Sequence, residues 1–187
     1  MVSVIIPNYN HSSFLKERID SVLAQTYDNF EVIILDDNST DDSVQIIEEY
    51  KNNPKISHIV YNTINSGSTF KQWQKGFSLA SGEFIWIAES DDIADPNFLY
   101  SVMNSIERYP NTVLGFTGIY FIDEKSEIIS KCKLKTYGAS LNYDGDYFIR
   151  HNMLYGCHIL NASSAVLEPS IATIIRLYSL VTISIPP

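Results

Sequence analysis

The sequence predicts an α/β fold: a mostly parallel sheet flanked by helices, with a short antiparallel appendage toward the C-terminus. Three observations predict it. Apolar, β-branched runs alternate with segments whose apolar residues recur at helical spacing. The alternation stops after Pro110, where two apolar runs follow each other across a polar turn. The 187 residues, 45% apolar and 12% aromatic, suffice for one domain with a substantial core and exclude general disorder.

In chain order, Val2 to Ile6 is a β-branched run stopped by Pro7, and Leu15, Ile19, Val22 and Leu23 then mark a helix. Phe30 to Leu35 is the second strand. The polar stretch DDNSTDDS follows, and in it Ser39 and Asp42 have the spacing of a capping box for a helix carrying Val44, Ile47 and Tyr50. Ile56 to Tyr61 is the third strand. A loop containing Asn65 and Gly67 leads to a helix around Phe70 to Leu79, ended by Ser81-Gly82. Phe84 to Ala88 is the fourth strand. Asp95 as N-cap and Pro96 at the first helical position then open a helix with Leu99, Val102, Met103 and Ile106 on one face. Such alternation implies right-handed crossovers and a parallel sheet covered on both faces. Thr112 to Ile122 and Ile128 to Leu134, joined across Asp123–Glu127, read as the antiparallel appendage.

Charge and composition remove several function classes. Thirteen Lys plus Arg against 22 Asp plus Glu give a net charge of −9 with no basic stripe, which argues against a nucleic-acid partner. Cys132 and Cys157 lack CxxC spacing and read as thiols of a reducing cytosol. The N-terminus MVSVIIPNYN has no basic n-region and reads as a first strand. No stretch offers the roughly 18 apolar residues of a membrane span; the most apolar, Ile171 to Ile185, is interrupted by Arg176. The expected location is cytoplasmic, with peripheral association at the inner face of the membrane left open. Residues 169–187 carry one charged group, and the chain reads as ending before its fold does.

In an open α/β sheet, ligands bind outside the carboxyl ends of the strands. Those ends are Pro7-Asn8-Tyr9-Asn10, Asp36-Asp37-Asn38-Ser39, Asn62 to Ser68, and Glu89-Ser90-Asp91-Asp92. Neither GxGxxG nor GxxxxGK[ST] occurs, so dinucleotide and P-loop chemistry are disfavoured. Without a glycine cradle or a basic cluster, a diphosphate is best held through a divalent metal, Mg²⁺ or Mn²⁺, on hard carboxylate oxygens. Asp95 accounts for the helix cap, which leaves Asp91 and Asp92 for that metal. Ser39, Thr40 and Asp41 can cap the helix that follows, which leaves Asp37 for a ligand. A carboxylate accepts an imide N–H from a base edge and Tyr9 can stack on the ring, which suits a uracil-like base.

These stretches resemble the nucleotide-sugar half of family 2 glycosyltransferases, inverting enzymes with a GT-A, Rossmann-like fold. The matching segments are VSVIIPNYNHSSFLKERIDSVLAQTYDNFEVIILDDNSTDDS (Val2 to Ser43), SGEFIWIAESDDIADPNFL (Ser81 to Leu99), and Asn65-Ser66-Gly67 between them. The resemblance covers about the first 125 residues and thins beyond residue 140. It implies a donor-binding core over 1–125 and an incomplete acceptor-side segment over 126–187. It also implies that Pro7 and Tyr9 border the nucleobase, that Asp37, with Asn38 beside it, hydrogen-bonds the base, and that Asp91 lies by the ribose and diphosphate. Asp92, last acid of the DxD-type motif, would bind the bridging metal. Glu89 stands where many members have Asp. Between Gly67 and Gly76, Lys71 stands in for the family's arginine.

The implied reaction is transfer of a sugar from a nucleotide diphosphate donor, UDP-linked, to a hydroxyl acceptor on a sugar, polysaccharide or lipid-linked molecule, with inversion. The family's general base belongs to an acidic pair after a strand of small residues, here Ala162 to Leu167, but residues 169–187 contain no Asp or Glu. By motif, Asp123, Glu124, Asp144 and Asp146 come too early, and Glu168 has no acidic neighbour. The catalytic base is therefore unassigned, and a nucleotide-sugar-binding remnant that does not turn over is the alternative. A phospho-receiver domain would need an acidic pair after the first strand and a lysine after the fifth, and this sequence has neither.

Overall fold

The first two strands and the fourth are buried on both faces of the sheet, which is why their sequences read as unbroken apolar runs. The computed structural model describes residues 1–109, 111–131, 142–153, 159 and 161–170. Its strands are β1 (Val2–Asn8), β2 (Phe30–Asp36), β3 (Ile56–Tyr61), β4 (Phe84–Ile87), β5 (Leu114–Phe116), β6 (Tyr120–Ile122), β7 (Ile128–Lys131) and β8 (Ala165–Leu167). Its helices are α1 (Ser12–Leu23), α2 (Ser43–Glu49), α3 (Thr69–Leu79), α4 (Phe98–Arg108) and α5 (Gly145–Phe148). Six strands form one sheet in the order β3-β2-β1-β4-β8-β5, and β6 and β7 form a separate hairpin. Strands β1 to β4 run parallel, whereas β8 is antiparallel to both β4 and β5.

Side chains alternate across β1. Val2, Val4 and Ile6 face a cluster with Leu15 and Ile19 of α1 and Leu99 and Val102 of α4. Ile5, with Ile33, Leu35, Ile85 and Ile87, packs against Trp73 and Phe77 of α3 on the other side. Pro7 does not stop β1, and the hydrogen-bond pattern gives the reason. Ile5 O accepts from Ala88 N on the β4 side and Asn8 O accepts from Asp37 N on the β2 side. Alternation turns the nitrogen of Pro7 toward β4, where the ladder has already ended at Ile87, so the missing N–H costs no bond. Gly82 precedes β4 because a Cβ there would lie 2.7 Å from Ser3 N and 2.8 Å from Met1 O.

Four further expectations need correction. Helix α4 starts at Phe98, not at Pro96, because Pro96 O accepts from Thr26 N and Asp95 O accepts from Gln25 Nε2, which holds 95–96 against the end of α1. Gln25 Oε1 then supplies the acceptor for Leu99 N that a cap would have provided. The capping box at Ser39 and Asp42 does not form. Ser39 Oγ accepts instead from Asn8 Nδ2 and Asn10 N, and Asp41 accepts from the amides of Ser12 and Ser43. Thr112 to Ile122 is two strands: β5 joins the main sheet and β6 pairs with β7 around Asp123, whose Oδ1 accepts from the amides of Lys125 and Glu127. Ala162 to Leu167 is a 3-10 turn at Ala162–Ser164 followed by β8. Cys132, Cys157, Leu134 and the apolar stretch Ile171 to Ile185 lie outside the described residues.

Candidate functional site

The sheet order places β2 and β3 on one side of β1 and β4 on the other. Connections leave β1 and β4 in opposite directions, which opens a crevice at their carboxyl ends. Two loops meet there: the one leading into α1, and the Glu89–Asp92 segment after β4. His11 Nδ1 and Ser90 Oγ, 2.7 Å apart, join them, and Ser90 is buried.

The first side of the crevice is a clasp between the β1 and β2 loops. Buried Asn8 donates to Asp36 Oδ1 at 2.8 Å, Asp36 Oδ2 accepts from Ser39 N, and Asn10 Oδ1 accepts from Thr40 N. Asn10 and Asn38 take left-handed backbone angles (φ 56° and 64°), which asparagine tolerates better than most residues. Pro7 is buried, while Tyr9 and Asn38 are exposed at the rim. Asp36 therefore holds the loop, and its neighbour Asp37 reaches the other way.

Asp37, 4% exposed, is the hub of the second group. Its Oδ1 accepts from Asn62 Nδ2 (2.6 Å), Ser66 N (2.9 Å) and Gln72 Nε2 (2.7 Å), and its Oδ2 from Ser66 Oγ (2.7 Å). With one donor on Oδ2, that oxygen keeps capacity for another. Gly67 (φ 67°) turns this loop and donates to Asn65 Oδ1. Lys71 is exposed and folds back to donate to Ser66 O at 2.8 Å.

The third group is the acidic segment. Asp91 is exposed, Asp92 and Glu89 are half-buried, and Trp73 Nε1 of α3 donates to Glu89 Oε1 at 2.8 Å. Burial, reinforced by Asp91 and Asp92, pushes Glu89 up to about 7 against the Trp73 hydrogen bond and the charge of Arg18. Arg18, on the buried face of α1, is fully buried 5.1 Å from the Trp86 ring. Burial lowers it to about 10, with Asp92, Glu89 and Asp91 acting in the other direction, so it carries its charge at neutral pH. Arg18 Nη2 donates to Ser163 Oγ, whereas Nε and Nη1 have no hydrogen-bond partner among the described residues. A cleft of about 230 Å³ opens beside this segment, lined by Phe14, Glu17, Asp91, Asp92, Asp123 and Glu124 among others.

Among the described residues no three His, Cys, Asp or Glu side chains form a ready metal cage. That donor set still fits Mg²⁺ or Mn²⁺ carried by a diphosphate, since such ions take one or two carboxylates and fill the remaining positions with phosphate oxygens and water. Asp91 and the Oδ1 of Asp92 are the oxygens open to it; Asp92 Oδ2 accepts from Asn161 Nδ2 at 2.9 Å. The carboxylates considered as base are dispersed. Asp144 caps α5, Asp146 pairs with Arg150, and Glu168 accepts from Ser170, whereas Asp123 and Glu124 share the cleft with Asp91 and Asp92.

Sequence reasoning missed Arg18, Gln72, Trp73, Asn161 and Ser163. A signal existed for Arg18: it stands three residues after Leu15 and four before Val22, a charge on the apolar face of α1. Nothing local marked Asn161 and Ser163, whose partners lie far away in sequence.

The glycosyl transferase family 2 model matches residues 3–164. The chain belongs to that family, and the match runs further than the motifs alone reach. It is 33% identical over 116 residues to the glycosyltransferase GlyG of Streptococcus pneumoniae, covering 62% of this chain and 38% of that protein. An uncharacterised glycosyltransferase of Rickettsia prowazekii is 31% identical over 162 residues, 86% of this chain and 49% of its own length. The chain thus spans about half or less of these relatives. Among solved structures, Staphylococcus aureus TarS in complex with UDP-GlcNAc superposes with a TM-score of 0.65 at 21% identity, over 94% of this chain and 47% of that one. A mannosyltransferase of Pyrobaculum calidifontis with GDP-Man and Mn²⁺ gives 0.54 at 22%, over 60% and 34%. The GT-A-like fold is common to all three. No helix among the described residues is long and apolar enough to cross a membrane.

Proposed function

We propose that residues 1–125, completed by the segment around 161–167, bind the donor of a glycosyltransferase that moves a sugar from a nucleotide diphosphate to a hydroxyl acceptor with inversion. One observation carries this reading: the loops after β1, β2, β3 and β4 converge on one crevice. There, exposed Tyr9 and the Asp37 hub stand on one side and the Asp91–Asp92 carboxylates on the other. The related structures in complex with UDP-GlcNAc and GDP-Man support a nucleotide-sugar donor, and the base-edge argument favours uracil. Pro7 and Tyr9 border the base, Asp37 accepts its N–H through Oδ2, and Asn38 and Gly67 shape the rim. Lys71 can swing from Ser66 O toward phosphate. Asp91 and Asp92 hold the divalent cation, which when bound neutralises charge on the departing diphosphate.

The acceptor is a hydroxyl of a sugar, polysaccharide or lipid-linked molecule, reached from the cytoplasm or the inner face of the membrane. A carboxylate must take its proton, and Asp123 and Glu124, on the same cleft as Asp92, are the described residues to test first. The experiment is thermal shift with UDP, ADP, Mn²⁺ and EDTA. UDP and Mn²⁺ together are expected to raise the melting temperature; a ligand at 100 times its Kd stabilises by about 2.7 kcal/mol. Asp92→Asn should abolish the metal-dependent part and Asp95→Asn should leave it. Equal shifts with ADP would overturn the uracil assignment, and indifference to EDTA the metal.

A further inference from the structure

The turn Ala162–Ser164 is held more firmly than a surface turn requires. Ser163 O accepts from Trp86 Nε1 (2.8 Å), Ser163 Oγ accepts from both Arg18 Nη2 and Glu89 N (2.9 Å each), and Ser164 O accepts from Thr117 N. Trp86 and Arg18 are fully buried, so the turn is pinned from α1, from β4 and from the chain after β5 at once. Asn161 stands at its N-terminal end and works in two directions. Its Oδ1 caps the turn through Ser163 N at 2.8 Å, and its Nδ2 donates to Asp92 Oδ2 at 2.9 Å.

We propose that Asn161 is a positioning residue for Asp92: anchored through Ser163 to buried Arg18 and Trp86, it occupies one carboxylate oxygen and aims the other into the cleft. The inference rests on the donor-site reading above, in which Asp92 takes the cation. A carboxylate on a loop has two rotatable bonds, and a hydrogen bond from a rigid partner fixes them before the cation arrives. Outer partners of metal-binding carboxylates typically contribute about 10–100-fold in metal affinity. Arg18 matters here as an anchor: its guanidinium spends one hydrogen bond on Ser163 and none on the acids themselves.

The test separates orientation of Asp92 from stability of the turn. Serine at 161 keeps an oxygen that can cap Ser163 N but cannot reach Asp92; alanine removes both. Calorimetric titration of the chain with UDP is run in Mn²⁺ and in EDTA for wild type, Asn161→Ser and Asn161→Ala. The expected result is about a 10-fold or greater loss of UDP affinity in Mn²⁺ for both variants, with affinity in EDTA unchanged. Serine matching wild type in Mn²⁺, or an equal loss in Mn²⁺ and EDTA, would overturn the proposal, because the residue would then serve only the turn. If alanine fails to fold, the serine variant decides. Wild-type affinity that is indifferent to Mn²⁺ would overturn the donor-site reading as well, whereas a metal-responsive wild type with unaffected variants would overturn the positioning role alone.

Discussion

Truncating Asp37 separates its work inside the fold from its work on a ligand. In Asp37→Ala, Gln72 Nε2 keeps Ser66 Oγ at 3.2 Å and Ser66 Oγ keeps Ser68 O at 3.2 Å, but Asn62 Nδ2 and Ser66 N lose their hydrogen-bond acceptor. Two orphaned donors at about 1–3 kcal/mol each, reduced because both residues are only half-buried, give an expected loss of about 3 kcal/mol. Asp37→Asn keeps one acceptor oxygen for the three donors on Oδ1 and weakens charge-assisted bonds to neutral ones. Relief of a buried carboxylate offsets part of that, leaving a loss of about 1 kcal/mol. Urea denaturation at pH 7, compared at equal slope, measures both. The asparagine variant should then fold and bind UDP weakly, because it offers an amide N–H₂ where the base needs an acceptor. A loss below about 1 kcal/mol for alanine, or equal losses for the two variants, would refute the hub argument by showing that water replaces the carboxylate freely.

Tyr9→Ala should leave the melting temperature unchanged, since the ring is half-exposed, and weaken UDP binding about 10-fold, in line with about 1–3 kcal/mol per stacked base; titration calorimetry checks it. Burial alone would push Glu31 up, but hydrogen bonds from Ser3, Ser57 and Ser81 outweigh it and hold the carboxyl at about 2, below its ordinary 4.5. The unfolded chain then binds the extra proton first, so this stabilisation is present above pH 4.5 and is lost as pH falls toward 2. Glu31→Gln should accordingly flatten the stability profile over that window in acid denaturation. Gly82→Ala forces a methyl against Ser3 N and should cost about 1–3 kcal/mol by overpacking, measured by urea melts.

What could be read from the sequence follows from where each signal resides. Strands β1, β2 and β4 announce themselves because burial on both faces demands consecutive apolar residues. Three-residue strands such as β5 and β8 are too short to show a period, and β8 reaches its place between β4 and β5 from far along the chain. The strand-end acids were legible because paired carboxylates beside apolar runs require a reason. The hidden part consisted of long-range contacts: Asn161 to Asp92 spans 69 residues and Arg18 to Ser163 spans 145. The displaced start of α4 has the same origin, since Gln25 supplies from outside the cap that Asp95 was expected to provide from within.

The antiparallel insertion of β8 has a consequence for synthesis on the ribosome. A nascent chain that has emerged through β5 can pair β1 to β4, but one edge of β4 stays bare and Trp86 and Arg18 lack the turn that accepts their hydrogen bonds. An unpaired apolar strand edge of this kind is a template for association with other chains. Only when residues 161–167 arrive can the edge close, some seconds later at about 5–20 residues per second. Translational pausing between β7 and β8 should therefore lower the yield of soluble protein more than pausing before β4, and a holdase chaperone should act chiefly within that interval.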